Sequence, residues 1–182
     1  MLPVTSQPSH AGKSVVLSVL RSERRQLRQF AVLLRHLNVR VAHRVSDLRT
    51  VQAHAEKFLV QGHLPTVEMG LLLFLRNHAF APDHALDSLT AAISQVEARL
   101  AQFSAAVELD QLTGAQTVAR PLRVLSESLL SLALKEEQLI AQFLMPVMNP
   151  AVESALGRHC TVERSRRNSS AARFSLLEMA SI

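Results

Sequence analysis

The feature that most constrains this chain is a long run of apolar residues spaced alternately four and three apart. Val16, Leu20, Leu27, Phe30, Leu34, Leu37, Val41, Leu48, Val51, Ala55 and Phe58 keep that spacing, and Glu23 and Arg44 are its polar interruptions. A period near 3.5 residues places them along one edge of a helix, and an apolar edge needs other helices to cover it. Strands do not fit, because their side chains change face at every residue. Leu17, Val19, Leu33, Val45 and Leu59 widen the stripe beyond a two-stranded seam, which favours a bundle of three or more helices. The spacing predicts one first helix over residues 14–61, its seam roughly 65 Å long.

Gln61-Gly62-His63-Leu64-Pro65 reads as the stop of that helix, since Gly suits a helix end and Pro cannot continue one. Thr66 is a candidate cap for a short helix over 66–78, with Glu68 in its first turn. Ala81-Pro82-Asp83 is a second break. The heptad spacing returns over 83–112 (Leu86, Leu89, Ile93, Val96, Leu100, Phe103, Val107) and over 118–145 (Val118, Leu122, Leu125, Leu129, Leu132, Leu139, Phe143), where Glu136 is the polar intrusion. The expected fold is therefore all-α: an elongated three- or four-helix bundle with coiled-coil character and a long first helix, occupying residues 13–148. Composition agrees. Aromatics are 4% of the chain, with no Trp or Tyr, and such cores are built from Leu, Val and Ala. A leader, residues 1–12, and a basic Ser-rich tail, residues 149–182, are expected to be flexible. Within the tail, Phe174–Met179 has the pattern of a short helix that docks elsewhere.

The net charge of +5 is unevenly spread. Residues 1–60 carry +7, residues 61–157 carry −5 and residues 158–182 carry +3. A basic segment beside an acidic one can fold back and pair its charges, so a basic total does not by itself imply a nucleic-acid partner. The apolar run Leu71–Leu75 ends at Arg76, short of the roughly 18–20 residues a membrane span needs, so no transmembrane segment is expected. The single Cys160 excludes an internal disulfide and a multi-Cys zinc site. A cytoplasmic location fits. A mitochondrial one is the alternative, because up to Arg44 the only acid is Glu23 and Arg and Ser are common.

Leu129-Leu130-Ser131-Leu132-Ala133-Leu134-Lys135-Glu136-Glu137 resembles the fourth helix of hemerythrin-like domains. The resemblance implies a metal-binding helical bundle with inward His and carboxylate ligands. The family places a His one turn before the first Glu, and that position here is Leu132, which puts the ligand set in doubt. His84 and Asp87 have helical i, i+3 spacing and could be faced by Glu136-Glu137, while His36 and His43 share a face of the first helix but lie beside its seam. Gly12-Lys13-Ser14 has the ending of a phosphate-binding loop without its first Gly or preceding strand. No cofactor and no catalytic residue is expected.

The remaining candidates concern partners. Arg21, Arg25 and Arg28 stand on one side of the first helix. That row suits an acidic protein, a nucleic acid or a membrane surface, or else acids of a neighbouring helix such as Glu97, Glu108 and Asp110. Buried charges need partners and can fix register, so Arg44 is expected to meet an acid, Glu136 being one option. Leu139, Phe143 and Met145 belong to an apolar end that one bundle need not cover, and Met-containing surfaces often take partner helices. Ser169, after Arg166 and Arg167, is a candidate phosphorylation site. Together these favour a non-enzymatic coiled-coil subunit or adaptor that assembles with other helical proteins, as a homo- or hetero-oligomer. Alternatives are a divergent hemerythrin-like metal-binding bundle and a basic-helix binder of nucleic acid or membrane.

Overall fold

The computed structural model describes residues 15–39, 45–113 and 117–167. Helix α1 spans Val15–Val39. Its Leu20, Leu27, Phe30, Leu34 and Leu37 are buried, so the apolar edge read from the spacing is the edge that faces the core. The helix expected over residues 14–61 is corrected here. α1 ends at Val39, and the next helix, α2, begins at Val45. Val41 and Arg44 lie outside the described residues.

Helix α2 runs without a break over residues 45–77, through the segment expected to stop it. It is α-helical over Val45–Ala55, π-helical over Glu56–His63 and Thr66–Leu72, and α-helical again over Leu73–Asn77. The reason lies in Pro65, which has no N–H and whose ring crowds the carbonyl four residues back. A wider turn hands the hydrogen bond to a donor one residue further along. The Leu64 N–H accordingly reaches back five residues to the Leu59 carbonyl. The Thr66 hydroxyl donates to the Gly62 carbonyl at 2.9 Å. Burial rewards this continuity, because Ala55, Leu59, His63, Val67, Leu71 and Leu75 are all buried. They are four residues apart throughout. In a pure α-helix that spacing would drift about 40° per step, and the wider turns cancel the drift. Merging the two expected helices also makes Asp47–Asn77 long and apolar enough, by length and composition alone, to cross a membrane. In the fold it is a core helix, with 56% of its most apolar window buried.

Helix α3 covers Asp83–Thr113, and α4 covers residues 119–147. α4 is regular over Ala119–Leu139, widens over Ile140–Leu144 and tightens over Met145–Val147 ahead of Pro150. Side-chain contacts fix the directions. Phe30 meets Phe58 while Glu23 lies near His63, so α1 and α2 are antiparallel. Arg49 bonds Gln111 and Ser104 bonds Glu56, so α2 and α3 are antiparallel. Lys135 bonds Ser88 across α3 and α4. Arg28 pairs with Glu137, and the buried Ser126 hydroxyl donates to the Ala31 carbonyl at 2.7 Å, across α4 and α1. The result is an up-down-up-down four-helix bundle, all-α as expected.

A fifth helix, α5 over Pro150–Arg167, corrects the expectation of a wholly flexible tail from residue 149. Asn149 starts it: its side-chain oxygen accepts the Ala151 and Val152 N–H groups at 3.0 Å each. Pro150 occupies the first turn, where its missing N–H does no harm. α5 lies against the ends of α1 and α2. A Cβ on Gly70 would stand 3.1 Å from Cys160 Sγ, and one on Gly157 would stand 3.1 Å from Val16 Cγ2. Leu156 and Cys160 are buried in this contact. Asn149→Ala is expected to lower stability by about 1 kcal/mol, read as a shift in the urea midpoint. An unchanged midpoint would mean that the cap does not hold α5.

Candidate functional site

The two polar positions that interrupt the described seams come together. Glu23 projects from α1, Glu136 from α4, and the widened turn of α2 brings His63 between them. His63 Nε2 and Glu136 Oε1 are 2.8 Å apart, with both side chains nearly sealed from solvent. His63 Nδ1 lies 3.9 Å from Glu23 Oε2. Burial alone would push the imidazole toward its neutral form. The charge and hydrogen bond of Glu136, then those of Glu23, outweigh it and raise the His63 pKa to about 9. At neutral pH the group is therefore an imidazolium held by carboxylates.

Arg24 completes the charge balance. It is 9% exposed, and its Nε donates to the Leu20 carbonyl at 3.4 Å. Burial lowers its pKa, and Glu136 and Glu137 oppose that shift. Two carboxylates, an imidazolium and a guanidinium thus share the interior, so the bundle buries charge without burying a large net charge. Ring stacking continues outward from the cluster. His63 stacks on Phe58 with centroids 5.9 Å apart, and Phe58 stacks on His54 at 6.1 Å. Burial and the nearby Lys57 lower the His54 pKa, so the two histidines of one stack prefer opposite protonation states.

This arrangement corrects several expectations. Among the described residues Glu136 pairs with His63; Arg44, expected to meet an acid, and Ser169 lie outside the described residues. Glu136 and Leu139 are buried inside the bundle, so neither offers a surface to another protein. Ile140 and Leu144 are buried as well, and Phe143 is half-buried against the core. Of the apolar end expected to be uncovered, Met145 is 43% exposed. Of the Arg row of α1, the contact shown is with α4 rather than α3. Arg28 pairs with Glu137, while Arg21 and Arg25 are exposed. The hemerythrin-like pattern departs at the expected position, where Leu132 is fully buried. Among the described residues no three His, Cys, Asp or Glu side chains gather as a metal site.

A second feature lies on the outer face of α2 and α3. An open groove of about 500 Å3 runs between them, floored by Val60, Leu100, Ala101 and Ala105. Glu56, Glu97 and Glu108 border it, and its lining contains no Lys or Arg. On α3 the residues 97, 101, 105 and 108 recur at i, i+4, i+8 and i+11, one face of three turns about 16 Å long. The small side chains leave room above them, and Val60 is 48% exposed.

No family model, curated protein or solved structure matches this chain. Glu23 and Glu136 stand out in the sequence as polar seam positions, whereas His63 sits in a Gly- and Pro-containing stretch that reads as a helix break. The unbroken four-residue spacing from Ala55 to Leu75 was the signal that could have placed it in the core.

Proposed function

We propose that this protein is a non-enzymatic helical subunit that assembles with partner helices in a larger complex, receiving one of them in the groove between α2 and α3. The single observation carrying this reading is the groove itself: an apolar floor of small residues bordered by three carboxylates. Such a surface complements an amphipathic helix with large apolar anchors at i and i+3 or i+4 and basic residues beside them. The buried cluster supports the reading in a different way. Paired interior charges penalise any packing that leaves one of them alone, so they hold α1, α2 and α4 in one register and keep the outer face constant.

The test is affinity purification from the native source with the wild-type chain and with Ala101→Arg, in which a long cation fills the groove. Ala101 is exposed, so the variant keeps the core intact. At least one co-purifying protein is expected to be lost, and its association should weaken with rising salt. An identical partner set for both proteins would sink the proposal.

A further inference from the structure

The described helices divide charge in a way that one molecule does not resolve. Helix α1 carries Arg21, Arg24, Arg25, Arg28 and Arg35 against Glu23, and α3 carries Asp83, Asp87, Glu97, Glu108 and Asp110 against Arg99. In an up-down-up-down bundle the first and third helices stand diagonally, so their outer faces point in opposite directions. Arg21, Arg25 and Arg35 are exposed on α1, while Glu97 and Glu108 are exposed at the groove. We infer that the groove of one copy receives the outer face of α1 from a second copy, with arginines on its carboxylates and Val32 on its small-residue floor. The inference rests on the reading of the groove as a helix receptor, and it names the helix received.

Spacing selects this helix. Arg21, Arg25, Arg28, Val32 and Arg35 recur every three or four residues, within an arc of about 80° on α1. Val32 is the exposed apolar residue of that row, at 45%. From Arg25, Val32 lies about 10 Å and Arg35 about 15 Å along the helix axis. From Glu108, followed in the opposite direction on α3, Ala101 lies about 10 Å and Glu97 about 16 Å away. An antiparallel approach therefore sets Arg25 against Glu108, Val32 against Ala101 and Arg35 against Glu97 in a single register. The groove lining holds no Lys or Arg to oppose it. Row and groove lie on different faces, so the contact is head-to-tail, and each copy of a pair keeps one of the two surfaces free. Its attraction is mainly between exposed charges and falls as salt rises.

The test is sedimentation of the purified full chain at about 0.05 M and about 0.5 M salt. At low salt the wild type should assemble beyond the dimer as its concentration rises, and at high salt it should return largely to monomer. Ala101→Arg blocks the groove, and the double variant Arg25→Glu with Arg35→Glu reverses the row. All three side chains are exposed, so the core is untouched, and unchanged helical circular dichroism checks that both variants fold. Each variant alone should stay monomeric at low salt. Mixed, they should form a one-to-one dimer and nothing larger, because one supplies the intact row and the other the intact groove. A monomeric wild type, variants that assemble as it does, or a mixture that stays monomeric would each overturn the inference. If the wild type is monomeric while Ala101→Arg still loses a co-purifying protein, self-assembly fails and the receptor reading survives. If the copies assemble as expected while the co-purifying set is unchanged, the receptor reading fails for other proteins and the groove serves this chain alone.

Discussion

Glu136→Ala is expected to lower the unfolding free energy by about 3–5 kcal/mol at neutral pH, measured by urea denaturation. The loss follows from what remains: an imidazolium at His63, almost wholly buried and without its nearest carboxylate. Replacing both partners should be far milder. The double variant His63→Leu with Glu136→Leu removes the stranded charge along with its counterion, and apolar side chains of similar volume often substitute for a buried pair at little loss. A double-mutant cycle therefore separates the pair's coupling from ordinary packing. A Glu136→Ala loss below about 1 kcal/mol would show that the cluster does not lock the bundle.

The same pair sets a pH dependence with a definite sign. The His63 pKa rises from 6.5 to about 9 on folding. Below about 6.5 both folded and unfolded chains hold the proton, and the contribution is fully present. As pH rises toward about 9, the unfolded chain releases its proton first, so folding loses this contribution. The slope is at most about 1.4 kcal/mol per pH unit for one proton. The groups acting on His63 are Glu136 on α4 and Glu23 on α1, with Phe58 stacked on its ring, while Arg24 acts on the same Glu136. The slope should disappear in the His63→Leu, Glu136→Leu double variant. Its persistence there would assign the titration to another group.

Phe30→Ala is the second large effect, an expected loss of about 3–5 kcal/mol. Phe30 is fully buried on α1 and contacts two rings of α2, His54 at 5.3 Å and Phe58 at 6.1 Å. Removing it deletes a large apolar surface and the tilted and edge-on ring contacts at the same place. Phe30→Leu refills most of the space and should lose much less. Thermal melting of both variants against wild type measures the difference. Equal, small shifts would mean that α2 does not pack on this face of α1.

Much of this architecture is legible in the residues. Every described seam position of α1 from Leu20 to Leu37, apart from the Glu23 interruption, is buried, and α3 begins at the Asp83 expected to cap it. The limits of α2 were not legible from local signals. Gly62 and Pro65 are strong helix stoppers when read one at a time, because local propensity says nothing about what a continued helix could bury. Leu59, Leu64, Val67, Leu71 and Phe74 all reach the core only if the helix goes on, and that burial outweighs the strain of widened turns. The docking of α5 was missed for a related reason. Its apolar positions are sparse, and it sits down by close approach at Gly70 and Gly157 rather than through a wide stripe.

Spacing alone determined that the chain would be helical and which edges of α1, α3 and α4 would turn inward, because side-chain direction along a helix follows from its period. Tertiary structure alone decided that Glu136 meets His63, that α2 stays whole through Pro65, and that an acid-bordered groove lies between α2 and α3. Those outcomes depend on which residues of distant segments are brought within a few ångströms of one another, and no period along a single helix encodes that distance.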